Sequence, residues 1–146
     1  MKESFILFVL VLFAVVLVNP ALARDTFHEL SVKKALTSQL GKEKLLNVPI
    51  YMAGQKHKRM AKDLGVFKSN KRSRSFDRTD VEACNVAFLS AVISLQKRAL
   101  KMGADAVVDI RSITKDKRLI SATKFRCVAG DIMANVALTG RMVNFK

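Results

Sequence analysis

The chain has 146 residues, half of them apolar, with 26 Lys+Arg against 12 Asp+Glu and a formal charge of +14. That length suits one domain, with or without a tail, and the apolar content excludes a disordered chain. Two cysteines are too few for a disulfide-dense mini-scaffold.

Met1-Lys2-Glu3-Ser4 precedes fourteen consecutive apolar residues, 5–18. Asn19-Pro20 breaks that run, and Ala21-Leu22-Ala23 places small residues at the positions a signal peptidase reads. This layout predicts a signal peptide over residues 1–23, cleaved before Arg24. A membrane anchor is the alternative, but it needs about 17–25 apolar residues, more than this run supplies. The expected product is exported, periplasmic or secreted, with no transmembrane anchor after cleavage. No cysteine stands at the cleavage site to carry a lipid. Residues 24–146 keep the whole positive excess, because Lys2 and Glu3 cancel.

Downstream, Ser31 can cap a short helix carrying Val32, Leu36 and Leu40, closed by Gly41. Residues 45–52 are strand-like, with Pro49 confining them to an edge or a strand start. Residues 55–78 show no sustained periodicity and read as a basic loop. The clearest element is a helix over residues 80–102. Thr79 is its N-cap, and Glu82 three residues on completes a capping box. Asp80 and Glu82 suit the positive helix end; Lys97, Arg98 and Lys101 suit the negative one, and Gly103 ends it. Val81, Cys84, Phe88, Val92, Leu95, Ala99 and Met102 form an apolar stripe, and the middle of the helix is apolar nearly all round, which predicts deep burial.

After Gly103, Ala106, Val108 and Ile110 alternate against Asp105, Asp109 and Arg111, with Val107 as the exception; this reads as a strand. Residues 115–118 form a charged turn. A second strand follows, with Thr123, Phe125, Cys127 and Ala129 on one face and Lys124, Arg126 and Val128 on the other. Gly130-Asp131 marks a bulge or bend, and residues 136–143 form a third strand interrupted by Gly140. The fold expected is α+β: one long buried helix packed on a small, mostly antiparallel sheet, after an N-terminal signal helix.

Cys84 on the helix stripe and Cys127 beside Phe125 both point between helix and sheet. In an exported protein such a pair most simply forms a disulfide, which by loop entropy contributes roughly 4 kcal/mol. Inert buried thiols and a redox switch are the alternatives. There is no Cys-x-x-Cys, and His28 and His57 stand alone, so no zinc set or thioredoxin-like motif is seen.

Lys56, Lys58, Arg59, Lys62, Lys68, Lys71, Arg72, Arg74 and Arg78 crowd into 23 residues with only Asp63 and Asp77, a local charge of +7. Such a segment attracts anions: lipopolysaccharide phosphates, anionic phospholipid, an acidic protein or extracellular nucleic acid. The alternative is a solvated loop in a chain that is basic throughout. Only Phe67 and Phe76 are interleaved, too few to stack single strands, and the compartment argues against chromosomal DNA.

Phosphate-loop, Gly-x-Ser-x-Gly and His-Glu-x-x-His motifs are absent. Asp105 and Asp109, about 13 Å apart on an extended strand, are too far separated for an acid dyad. No catalytic residue, metal ligand or cofactor is assigned.

The stretch Asp80-Val81-Glu82-Ala83-Cys84-Asn85-Val86-Ala87-Phe88-Leu89-Ser90-Ala91 is followed by Leu95-Gln96-Lys97-Arg98-Ala99 and Gly103-Ala104-Asp105-Ala106-Val107-Val108. Phe125-Arg126-Cys127-Val128-Ala129-Gly130 and Val136-Ala137-Leu138-Thr139-Gly140 come later. Together these resemble a family of small exported bacterial proteins that often carry the label "excinuclease ATPase subunit". The resemblance runs from about Val48 onward, and both cysteines match the family's pair; Asn135 stands where the family tends to have glycine. An excision-repair ATPase needs phosphate loops and cytoplasmic DNA, so that label is not carried over. More distantly, the helix followed by Gly-Ala-Asp-Ala-Val-Val is similar to the core of YbjQ-type proteins and of the Rcs outer-membrane sensor lipoprotein. That similarity implies an α+β domain, with oligomerisation or envelope sensing. Three functions are therefore expected in order: a non-enzymatic envelope protein binding a protein or an anionic component, an envelope stress or redox sensor, and an uncharacterised enzyme.

Overall fold

The computed structural model describes residues 23–146; the expected signal peptide, Ala23 apart, lies outside the described residues. In chain order come β1 (Thr26–Ser31), helices α1 (Val32–Leu36) and α2 (Gln39–Lys44), β2 (Ile50–Met52) and β3 (Met60–Arg74). Helix α3 (Asp80–Met102), β4 (Ala106–Ser112), a 3-10 turn (Thr114–Asp116), β5 (Lys124–Ala129) and β6 (Met133–Phe145) follow. The fold is α+β, a six-stranded and mostly antiparallel sheet with α3 laid across one face.

β6 is the hub. One of its sides pairs with β3 along nearly its whole length. Its other side is shared: β5 pairs with Ala134 and Asn135, and β4 with residues 138–143. β1 extends the β5 arm antiparallel, and three-residue β2 extends the β4 arm in parallel. The split between the two arms falls at Ala137 and is closed by a hydroxyl. Fully buried Thr114 accepts the Ala137 N–H (3.0 Å) and donates to the Arg126 carbonyl (2.9 Å), while the Ile113 N–H donates to the Ala137 carbonyl (2.8 Å). Ser112 adds a second tie, its Oγ accepting the Arg126 N–H at 3.0 Å.

α3 starts and stops where its ends direct. Thr79 Oγ1 accepts the Glu82 N–H and the Glu82 carboxylate accepts the Thr79 N–H; Gly103 closes the helix in the left-handed region at φ 68°. Ala83, Cys84, Ala87, Phe88, Ala91, Val92, Leu95 and Ala99 meet the sheet, each at most 1% exposed. Val86 and Ile93 stay half-buried and Val81 is exposed, so burial is deep on one side rather than all round. Buried Gln96 tethers the incoming chain, donating to the Leu46 and Val48 carbonyls and accepting the Leu46 N–H. From the sheet, Phe125, Cys127 and Ala129 of β5, Val107 and Ile110 of β4, and Ala134, Val136, Leu138 and Met142 of β6 complete the core. Phe88 and Phe125 stack at 4.0 Å, beside a Cys84–Cys127 disulfide with Cα atoms 5.8 Å apart.

Four expectations change, and one strand is added. Residues 55–78 are not a loop: most of them form β3. Its periodicity is hidden because small Ser69 and Ser73 occupy the positions under α3, while Val66, Lys68, Asn70 and Arg72 take the other face. The single helix closed by Gly41 is two helices capped by Ser31 and Ser38. Gly41 lies inside the second, where a Cβ would sit 2.4 Å from the Leu36 carbonyl oxygen. β1 was not anticipated, since each of its faces mixes apolar and polar residues. β4 bulges at Asp109 (φ 51°), so Ile110 joins Val107 on the helix side, while Ala106 and Val108 face away. Finally, Gly140 does not interrupt β6. The strand continues through it, and glycine stands there because a Cβ would lie 2.6 Å from Val107 Cγ1.

Thr114→Val keeps the shape but strands the Ala137 N–H. It should lower the unfolding free energy in urea by about 1–3 kcal/mol, with Thr114→Ser close to the parent. Alkylating reagents should label no cysteine of the native protein until a reductant is added. Replacing both cysteines by alanine should cost roughly 4 kcal/mol, the chain-entropy value for a sequence separation of 43.

Candidate anion-binding face

With α3 on one side, the other face of the sheet is left without a helix. Side chains alternate along each strand, so the residues on this face follow from the register. β3 contributes Val66, Lys68, Asn70 and Arg72; β6 contributes Asn135, Ala137, Thr139 and Arg141; β4 contributes Arg111 past its bulge. The segment between β4 and β5 brings Ile113, Lys115, Asp116 and Arg118 to its margin.

These side chains outline two adjoining depressions. One, of about 310 Å³, lies between Lys68, Asn70, Arg72, Lys115, Asp116 and Asn135. The second, about 270 Å³, lies between Val66, Asp109, Arg111, Arg118, Thr139 and Arg141. Ile113 borders both, so the two depressions adjoin as a shallow trough on this face. A roomier hollow of about 490 Å³ beside α1 is lined mainly by apolar and neutral polar groups, with Lys33 its one charge.

Charge within the trough is only partly neutralised. Arg111 pairs with Asp109 (2.9 Å), Lys115 with Asp25 (2.6 Å), and Arg141 with Asp63. Lys68, Arg72 and Arg118 have no carboxylate at ion-pair distance among the described residues. The Asp63 carboxyl is held below the usual carboxylate range, chiefly by accepting the Gly65 N–H and then by Arg141. Guanidinium, ammonium and carboxamide donors on a shallow surface are suited to binding anions in a salt-sensitive way.

The nine cations expected to act together are divided by the fold. Lys68 and Arg72 enter the trough. Arg74 shares their face but is tied to Asp77 at 3.0 Å, and Lys71 lies on the helix side. Lys62 sits at the irregular start of β3 and Arg78 in the turn before α3. Lys56, Lys58 and Arg59 lie in residues 53–59, which lead into β3, where His57 stacks on Phe145 beside Tyr51. Arg111, Lys115, Arg118 and Arg141 were not anticipated. The signal available was the polar alternation of the strands that carry or flank them, which reads equally well as a solvated face.

Asp105 and Asp109 do not act as a pair: Asp105 accepts the Phe145 N–H and Asp109 holds Arg111. A separate cluster gathers at the start of α3. Asp80 accepts two hydrogen bonds from Arg24 and one from His28, while Arg24 also donates to Asp131 and the Gly130 carbonyl. This clamp fixes the start of the described chain to α3 and to the β5–β6 turn. No helix among the described residues is long and apolar enough to cross a membrane. No protein-family model, curated protein or solved structure matches the chain.

The Arg24 guanidinium, followed by His28, holds the Asp80 carboxyl below its usual value. A lowered carboxyl pKa stabilises the fold fully above the unfolded value of about 3.9, and that contribution is lost as pH falls through the folded value. Asp80→Asn should therefore be less stable than the parent at pH 7. Below about pH 4 the gap should narrow in denaturant titrations, because the parent alone has this contribution to lose.

Proposed function

We propose that this protein is an exported, non-enzymatic interaction module that holds an anionic component of the cell envelope against the helix-free face of its sheet. The observation that carries this reading is the presence of Lys68 and Arg72 in one depression and of Arg118 in the adjoining one, all lacking carboxylate partners among the described residues. Arg111, Lys115 and Arg141 surround them, and Asn70 and Asn135 add carboxamides. Cations set at regular positions on a sheet raise the local potential for an anion, less the cost of ordering their long side chains. Export is supported by the apolar stretch over residues 5–18, by the resemblance to small exported bacterial proteins, and by the disulfide, a bond that persists in oxidising compartments. Both sulfur-bearing residues are fully buried, which suits a structural bridge better than a redox sensor.

Binding of the purified protein to lipopolysaccharide, to anionic phospholipid vesicles and to poly-glutamate should be measured at low and high salt. Affinity for at least one of them should fall steeply as salt rises. The double variant Lys68→Glu/Arg72→Glu should bind about tenfold more weakly or worse, while Lys33→Glu/Lys34→Glu on α1 should match the parent. Salt-insensitive binding, or equal losses in both variants, would overturn the proposal.

A further inference from the structure

β3 hydrogen-bonds to β6 along one side only. Its other side has no backbone partner among the described residues. Along its regular stretch, residues 66–74, alternate N–H and C=O groups therefore face solvent. β3 is fifteen residues long, against six for β1 and three for β2 at the other margins of the sheet. Three cations stand along this free edge: Lys68 and Arg72 on the helix-free side, Lys71 on the helix side. None of the three has an ion-pair partner among the described residues. Pairing of two copies through β3 would set these like charges against one another, which disfavours self-association.

We infer that the free edge of β3 accepts an extended acidic polypeptide as an added strand, whose main chain pairs with residues 66–74 and whose alternate carboxylates meet Lys68 and Arg72. Main-chain pairing supplies affinity and the alternating side chains supply specificity. A one-residue slip turns every carboxylate away from Lys68 and Arg72 to the helix side of the sheet, where Lys71 stands and Arg98 is engaged over Phe67, so the spacing of the acids is part of what is recognised. The inference rests on the reading of this face as anion-binding and adds the class of partner, a polypeptide rather than a lipid or phosphate.

The test uses a fluorescent nine-residue peptide in which glutamate alternates with threonine and valine, titrated against the purified protein. Four further peptides accompany it: one with the glutamates gathered at one end, one with lysine for glutamate, and two N-methylated on either alternate set of amides. The alternating peptide should bind in a salt-sensitive way. Gathering the glutamates, or methylating the set of amides that faces β3, should weaken binding about tenfold; methylating the other set should change little. Outward amides of residues 66–74 should exchange fast in the free protein and slowly in the complex. If no peptide binds, the cations merely guard the edge and the inference is overturned. If all the acidic peptides bind equally without protecting β3, strand addition fails while the anion-binding reading stands. Lys68→Glu/Arg72→Glu binding like the parent would remove both.

Discussion

The contact between α3 and β5 is the constraint on which the other contacts depend. The β5–β1 arm shares only two residue pairs with the hub strand, far fewer than a strand of β5's length could make. What holds the arm in place is the Phe88–Phe125 stack, the adjoining Cys84–Cys127 bond and the Thr114 hydroxyl at the split. Covalent and aromatic links between helix and arm thus substitute for a ladder that the bifurcation of β6 makes impossible. On the opposite face Ala106, Val108 and Val143 form a small second apolar cluster with Tyr51 and Phe145, and the part between β3, β6 and Arg111 stays polar.

Close approach is achieved with small residues. Ala83, Ala87, Ala91 and Ala99 lie in one row of α3 at spacings of four, interrupted only by Leu95, and all are fully buried. Under Leu95 lies Gly140, where even a methyl group would collide with Val107. Ser73 donates to the Ala83 carbonyl, so near the start of α3 the strand β3 reaches the helix through a hydroxyl, while Leu64 and Phe67 pack on the core from farther up the strand. The core is therefore thin over β3 and thick over β4 and β5, where Phe125, Val107 and Ile110 stand. This gradient explains why β3 carries so much surface and so many charges.

Features governed by local chemistry were legible before the fold was known. The bounds of α3 follow from Thr79, Glu82 and Gly103, and the inward face of β5 follows from Phe125, Cys127 and Ala129. Features that depend on partners distant in the chain were not. β3 looks irregular because serines stand where valine or isoleucine would mark a buried face. The bulge at Asp109 reassigns Ile110 to the side opposite Val108, a change that alternation alone does not register. The site divides in the same way. The cations of residues 56–78 stand out because they are neighbours in the chain, but a basic run does not reveal that only Lys68 and Arg72 enter the trough. Their companions Arg111, Arg118 and Arg141 come from segments where each is one charge among apolar or mixed neighbours, and only the register assembles them.

β6 lies at the C-terminal side of every strand it organises. β3, β4 and β5 pair scarcely at all with one another, so a nascent chain that stops before Met133 has no template on which these strands can assemble. Its structure is limited to local turns of helix and to the β1–β5 and β2–β4 pairings, which carry little stability by themselves. Commitment to the native topology thus comes late in synthesis, when the hub strand arrives and the waiting segments close around it together.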